Sequence, residues 1–440
     1  MKIKLRHLLP AFIFFFTSIV SAQNFVGLTM DNYSGVNGVI INPSAVVDSN
    51  FRTDINLFSM SSFLGSDYYS IDLNAALESE DGFSFGNSIK TSATNQNQFF
   101  LNVDVLGPSF MFNLNPKSSL AVTTRVRTFL NFNNVNGMIY EDMEDGFNSE
   151  EDYSFELKDF SSTVHAWGEL GLTYGRILMD TDSNFLKAGL TVKYLQGAGA
   201  TFIHSPQATG QYEAQTELLT TSGTLSYGGA VGFDSDDIDF NDLTSGFGAD
   251  FGMTYEYRPD NGLEEEKGHS DYKFRLGLSV TDLGSISYES TVTTYDLDET
   301  VDANRFDQEG FRTVLEQEYE GTEEMKDTKI SLPTALHVMG DYNISKHFYV
   351  SVQGNLSLVS ADAEHANRII NTVAATPRFE SKWFSFYLPV SMRQYDGLAM
   401  GAGFRLGPLM VGSGSLISNV LGDSAKTTDI YAGLKIPIYR

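Results

Sequence analysis

Apolar and polar residues alternate with a period of two along much of this chain, and that pattern removes most of the folds open to it. In FYVSVQGNLSL, residues 348 to 358, Phe348, Val350, Val352, Leu356 and Leu358 share one face, and Tyr349, Ser351, Gln353, Asn355 and Ser357 the other. A strand turns successive side chains to opposite faces, whereas a helix would scatter these residues around its surface. The alternation returns at 186 to 194, 274 to 280 and 384 to 392, with Lys187, Lys193, Arg275 and Arg393 on the polar side. A soluble sandwich would send its apolar faces to meet in a core. A charged face opposite one made almost wholly of Leu, Val, Phe, Ala and Tyr predicts lipid as the apolar partner. The expected fold class is all-β, a transmembrane antiparallel β-barrel of about 14 strands. Several candidate strands, such as Leu120 to Phe132 and Ala166 to Leu178, have the ten or so residues a tilted strand needs to cross a bilayer.

Three regions follow along the chain. Residues 1–22 read as a signal peptide: Lys2, Lys4 and Arg6, an apolar run from Leu8 to Val20, then Val20-Ser21-Ala22 as a cleavage site. The run is shorter than the roughly 20 residues of a spanning helix, and no other apolar stretch approaches that length. Residues 23–53 are too broken by Gly, Asn, Ser and Pro to form one regular element, yet Val36, Val39, Ile40, Ile41, Val46 and Val47 require packing. They are expected to be a plug inside the barrel formed by residues 54–440.

Short connections, such as those between Met179 and Phe185 or Ile344 and Phe348, read as periplasmic turns. Long acidic stretches at 141 to 152, 234 to 242, 258 to 271 and 288 to 330 read as loops on the other side. The formal charge is −27, and −30 once Lys2, Lys4 and Arg6 are removed. That balance argues against nucleic acid, which demands basic patches. The outer membrane of a Gram-negative envelope is the expected location.

The polar face supplies the lumen. Arg125, Arg127, Lys187, Lys193, Arg275, Arg393, Arg405 and Lys435 nearly balance Asp54, Asp104, Glu169, Asp250, Glu256 and Asp341. An ion-selective pore carries rings of one sign. A balanced interior instead predicts ion pairs across the lumen and to the plug. With no cysteine, thiolate sites and disulfides are absent. The histidines form no HxxxH or HExxH pair, and no nucleotide loop or nucleophile elbow is present, so no enzyme, metal or cofactor is expected. His165 beside Ser161 and Ser162 is the nearest thing to a catalytic pair.

DNYSG (31 to 35), INPSAVVDS (41 to 49), VTDLGSISY (280 to 288), FSFYLPVS (384 to 391) and GAGFRLGPLMVGSG (401 to 414) resemble an uncharacterised family of outer-membrane barrels from Bacteroidota. More distantly, Asn42-Pro43-Ser44 is similar to the Asn-Pro-Ala of the hatch in FadL-type transporters of long-chain fatty acids. That resemblance implies a 14-stranded barrel with an N-terminal hatch and a route for hydrophobic solutes. With Asp48 and Arg52, the triplet forms the expected plug or gate set. Asn42 before Pro43 is biased away from the α region, and Pro43-Ser44 suits the start of a turn or short helix. The function expected is a plugged barrel passing a hydrophobic or small solute across the outer membrane. The alternative is a closed barrel serving an envelope, secretion or gliding assembly through a protein partner.

Overall fold

The computed structural model describes residues 25–439 apart from 73–88, 146, 148, 232–242, 260–271 and 361–362; the expected signal peptide lies outside the described residues. Apart from the short pair Tyr69–Ile71 and Ile89–Thr91, the described strands form one antiparallel sheet that closes on itself. The first five wall strands are β1 (Phe51–Ser66), β2 (Asn97–Leu106 with Ser109–Asn115), β3 (Ser118–Val135), β4 (Tyr153–Asp180) and β5 (Asn184–Glu213). Next come β6 (Leu218–Ala230 with Thr244–Tyr257), β7 (Phe274–Asp296), β8 (Glu320–Ser331 with Ala335–Ser345), β9 (Phe348–Ser357) and β10 (Thr372–Glu380). The wall ends with β11 (Phe384–Tyr387 with Val390–Arg393), β12 (Gly397–Met400 with Ala402–Leu406), β13 (Leu409–Ser413) and β14 (Thr427–Tyr439). Segments given in pairs lie end to end in one wall strand; both halves of β6, for example, pair with β5 on one side and β7 on the other. The described residues thus give a closed barrel of 14 strands. Closure joins β1 to β14 from Phe51 opposite Tyr439 to Gly65 opposite Thr427, so no strand edge is left open across the apolar band.

Alternation sets which face goes out. Leu170, Leu172, Leu190, Val192, Leu276, Leu278, Val352 and Ile436 are exposed on the outside, while Thr173, Thr191, Lys193, Ser279, Ser351 and Lys435 are buried inside. No helix of the described residues is long and apolar enough to cross a membrane.

The first barrel strand starts at Phe51, not at Asp54, so Arg52 leaves the plug set: it stands exposed on β1. The acidic stretch 288 to 330 is not a loop. It holds the end of β7, the helices Asn304–Glu309 and Phe311–Glu318, and the first half of β8. The strands β4 and β5, at 28 and 30 residues, greatly exceed the span of a bilayer. Together with β6, β7 and β8 they carry the sheet beyond the apolar band, where both faces lose the apolar-polar contrast that marks a strand in sequence. The connection 258 to 271 joins β6 to β7 at the same end as the short turns 181 to 183 and 346 to 347, not at the opposite end. The stretch 234 to 242 falls between the two halves of β6 and, like 260 to 271, lies outside the described residues.

Candidate functional site

Residues 25–50 sit within the lower lumen and bury their apolar side chains completely: Leu28, Val36 and Val46 are fully enclosed, packed with Leu106, Met111, Ala121 and Tyr431 of the wall. Asn42 is extended (φ −140°) and caps the short 3-10 turn Pro43–Val46, its side chain accepting from the Ser44 N–H at 3.0 Å and the Ser44 hydroxyl at 2.7 Å. The same triplet is bound to the wall. The Asn42 amide donates to Thr254 Oγ1 at 3.3 Å, and Ser44 Oγ lies 2.7 Å from that hydroxyl. Gly189 and Gly252 make this approach feasible, because a Cβ at either would collide with Pro43 or Asn42.

Charge holds the rest of the plug. Asp31 meets Arg405 Nε at 3.0 Å and accepts a short hydrogen bond from the Tyr387 hydroxyl. Burial alone would raise the Asp31 carboxyl, but Arg405 and Tyr387 outweigh it and bring the pKa down to about 2. Asn32 bridges Glu380 at 2.7 Å and Arg275. Asp48, held at φ 56°, pairs with Arg258 at 2.5 Å. Lys435 donates to the Tyr33 carbonyl at 2.6 Å, Lys187 to that of Val47 at 3.0 Å, and Ser279 to that of Ile41 at 2.6 Å.

Above the plug lies a charged belt. Arg125 pairs with Asp104, Arg127 with Glu169 at 3.1 Å and Asp282 at 2.8 Å, and Lys193 with Asp250 at 2.8 Å and Asp282 at 2.6 Å. Lower down, Arg378 pairs with Asp341 at 2.6 Å and Glu380 at 3.0 Å, while Arg393, at the level of Phe63, pairs with Asp429 at 2.6 Å. All the lumen residues named from the sequence therefore face inward. Glu256, named from the sequence, pairs with Arg258 and Arg275, whereas Asp282, Arg258, Arg378 and Glu380 complete these pairs without having been named among them. Asp282 escaped because a bulge shifts the phase of β7: Ala249 faces Leu283, but Phe251 faces Val280. Counting from Arg275 in steps of two places residue 282 outside, whereas Thr281 and Asp282 are both buried.

Over the belt, successive strands turn Phe63, Phe100, Phe129, Trp167, Leu195 and Ile286 inward as an apolar ring. The Arg127 guanidinium lies 5.0 Å from the Phe129 ring and 5.1 Å from that of Trp167, joining belt to ring. The ring is filled from above by the segment 363–371 between β9 and β10. Ile370 is buried within it. Asn367 donates to the Ser331 carbonyl at 3.0 Å and lies 2.7 Å from His165 Nδ1, and the Arg368 N–H donates to Asn131 at 3.1 Å. Between plug and ring remains a cavity of about 20 Å³ bounded by Val26, Ile41, Phe63, Phe100 and Ile369, the size of about one water. His165 stacks on Trp167 and binds Tyr288 at 2.9 Å, while Ser161 bonds Asn133, so no Ser-His pair forms there.

A family model matches residues 43–414. The chain belongs to DUF5723, a family of unknown function. No curated protein matches it significantly. Among solved structures it is similar to a Pseudomonas aeruginosa FadL homologue, at 11% identity over 94% of this chain and 97% of that one, with a TM-score of 0.44. The Pseudomonas putida toluene transporter TodX aligns at 9% identity over 93% and 95%, TM-score 0.43. The monoaromatic hydrocarbon channel CymD aligns at 10% over 96% and 95%, TM-score 0.41.

Proposed function

We propose that this protein is an outer-membrane barrel, in a closed state, that takes a small hydrophobic solute into the apolar ring beneath the segment 363–371. The observation that carries the reading is that the ring of Phe63, Phe100, Phe129 and Trp167 is filled by a side chain of the protein's own loop, Ile370. An apolar space lined by aromatics and closed by a short polar-flanked segment is how a site for an apolar molecule is built. Withdrawal of Ile369 and Ile370 vacates it without disturbing the wall. Passage onward requires the plug to yield as well, and the charged belt directs an apolar solute along the Val26, Ile41 and Phe100 side.

The test is binding of toluene or a medium-chain fatty acid to the purified barrel, followed by quenching of the two tryptophans, Trp167 and Trp383. The reading predicts saturable quenching that is lost in Trp167→Phe but kept in Trp383→Phe. Absence of saturable binding in both the wild type and an Asn367→Ala variant with a loosened segment would contradict it.

A second reading has one observation of its own in favour. The sheet of β4 to β8 continues past the apolar band, and the first half of β8 is exposed along Glu320 to Asp327. A closed barrel presenting such a sheet suits a role in a larger envelope assembly, and crosslinked pull-down that returns a reproducible envelope protein is its test.

A further inference from the structure

We propose that the outer wall between β2 and β5 holds a site for one acyl chain of a membrane lipid, distinct from the lumen. This rests on the reading of the outward apolar band as lipid-facing. In β2 the ladder breaks at Gly107-Pro108: Pro108 has no N–H to donate, and Gly107 has no side chain to fill the outer face. Two strands away Gly168 also faces outward, in register with Val126 on one side and Gln196 on the other. The two missing side chains leave a groove of about 410 Å³ bordered by Val105, Thr124, Val126, Leu170 and Tyr194, with Arg125 and Glu169 of the charged belt also lining it. That volume is in the range of small-molecule sites, about 300–1,000 Å³.

The groove does not lead inward. From the lumen side the Asn56 amide donates to the carbonyls of Leu106 at 3.1 Å and Gly107 at 3.0 Å, and the Gly107 N–H donates to the Thr124 carbonyl at 2.8 Å. Immediately behind stand Arg125 and Asp104 of the charged belt. The groove is therefore continuous with the bilayer surface and closed to the lumen, which selects a lipid chain over a solute in transit.

Its rim indicates how the chain is oriented. The Tyr194 hydroxyl lies 2.9 Å from Ser245 Oγ and accepts from the Gln196 amide at 3.2 Å. These polar groups sit beside Phe247 at the edge of the apolar band, where aromatic residues gather at the level of the headgroups. A chain running down past Gly168 and Leu170 would leave its glycerol ester oxygens at this trio.

Gly168 offers a clean test, because a Cβ there meets nothing nearer than 3.9 Å, so a large side chain enters the groove without distorting the wall. Gly354 on β9 is a matched control: it also faces outward, its nearest neighbour at 4.0 Å, away from the groove. The full chain is reconstituted in vesicles of phosphatidylethanolamine carrying a fraction with a diazirine in one acyl chain, irradiated, and the labelled residues are mapped by mass spectrometry. Labelling is expected to concentrate on Val126 and Leu170 over Leu276 and Val338 of the far wall. In Gly168→Phe that excess should fall at least about tenfold, a filled groove leaving no room for a methylene chain, and in Gly354→Phe it should persist. Uniform labelling around the band, or an excess unchanged by Gly168→Phe, would overturn the site while leaving the membrane reading intact. Labelling absent from the whole band would overturn both.

Discussion

The two ends of the lumen are closed by different chemistry. Below, the plug is tied to the wall by charge-assisted bonds, buried at Asp31 to Arg405 and at Lys435 and Lys187 to plug carbonyls, and half-buried at Asn32 to Glu380 and Arg275 and at Asp48 to Arg258. Above, the segment 363–371 is held by Asn367 on His165 and Ser331, by the Arg368 N–H on Asn131 and its guanidinium on Asn133 at 3.3 Å, and by Glu364 at 3.5 Å from His204, plus the burial of Ile370. Hydrogen bonds to charged groups contribute about 1.5–3 kcal/mol and neutral ones about 0.5–1.5. Removing one partner of a buried ion pair costs more still, because the other charge is stranded. On the proposed function the upper closure is the one expected to open, with the plug staying as a structural part of the barrel.

The most drastic way to break this comparison is to remove residues 32–48. The wall keeps its own closure between β1 and β14, so with the upper segment loosened by Asn367→Ala the account expects the barrel to insert but leak small hydrophilic solutes in liposome swelling, where the Asn367→Ala barrel with its plug is tight; equal permeability of the two would show that the plug is not what seals the lower end. Next in size is Asp31→Leu, which strands Arg405 and should destabilise the barrel by about 3–5 kcal/mol, read as the midpoint of denaturant unfolding in detergent. Asn367→Ala should cost about 1 kcal/mol and should speed hydrogen exchange in 363–371 while leaving residues 28–47 unchanged.

Acid sharpens the contrast. The Asp31 carboxyl has its pKa lowered from 3.8 to about 2 in the fold. A depressed carboxylate adds stability that is complete above its unfolded value and is lost as pH falls through the folded one. The Asp31 contribution to protease resistance of the plug should therefore be constant from neutrality down to about pH 4 and be lost between there and pH 2, so the difference between the wild type and Asp31→Asn should shrink over that window. The smallest effect is expected at Arg52, exposed on β1, where Arg52→Ala should move stability by no more than about 0.5 kcal/mol.

Much of this was legible in the sequence, for reasons that also set the limit. Period-two alternation reports on strands with lipid on one side and water or charge on the other, so the wall, its number of strands and inward charges such as Arg127 and Lys193 could be read. Asn42-Pro43-Ser44 was visible because its backbone preferences are local. Strand parity placed Phe100 with Asp104 and Trp167 with Glu169, yet a reading of the lumen by charge passes over the aromatic ring that shares that face. Asp282 needs the bulge in β7, which no local pattern announces. The upper halves of β4, β5 and β8 lie beyond the apolar band, where alternation loses its meaning. Asn367 to Ile370 is two isoleucines in a polar stretch, and only the ring around them explains why they are buried.

Hydrogen exchange on the intact barrel in detergent, following the peptides that cover 28–47 and 363–371 in one sample, puts the central claim at most risk. The account predicts that 363–371 exchanges at least about tenfold faster, the equivalent of about 1.4 kcal/mol in opening free energy, and faster still when toluene is added, because the solute takes the space that Ile370 leaves. A plug that exchanges as fast as the upper segment, or faster, would contradict it.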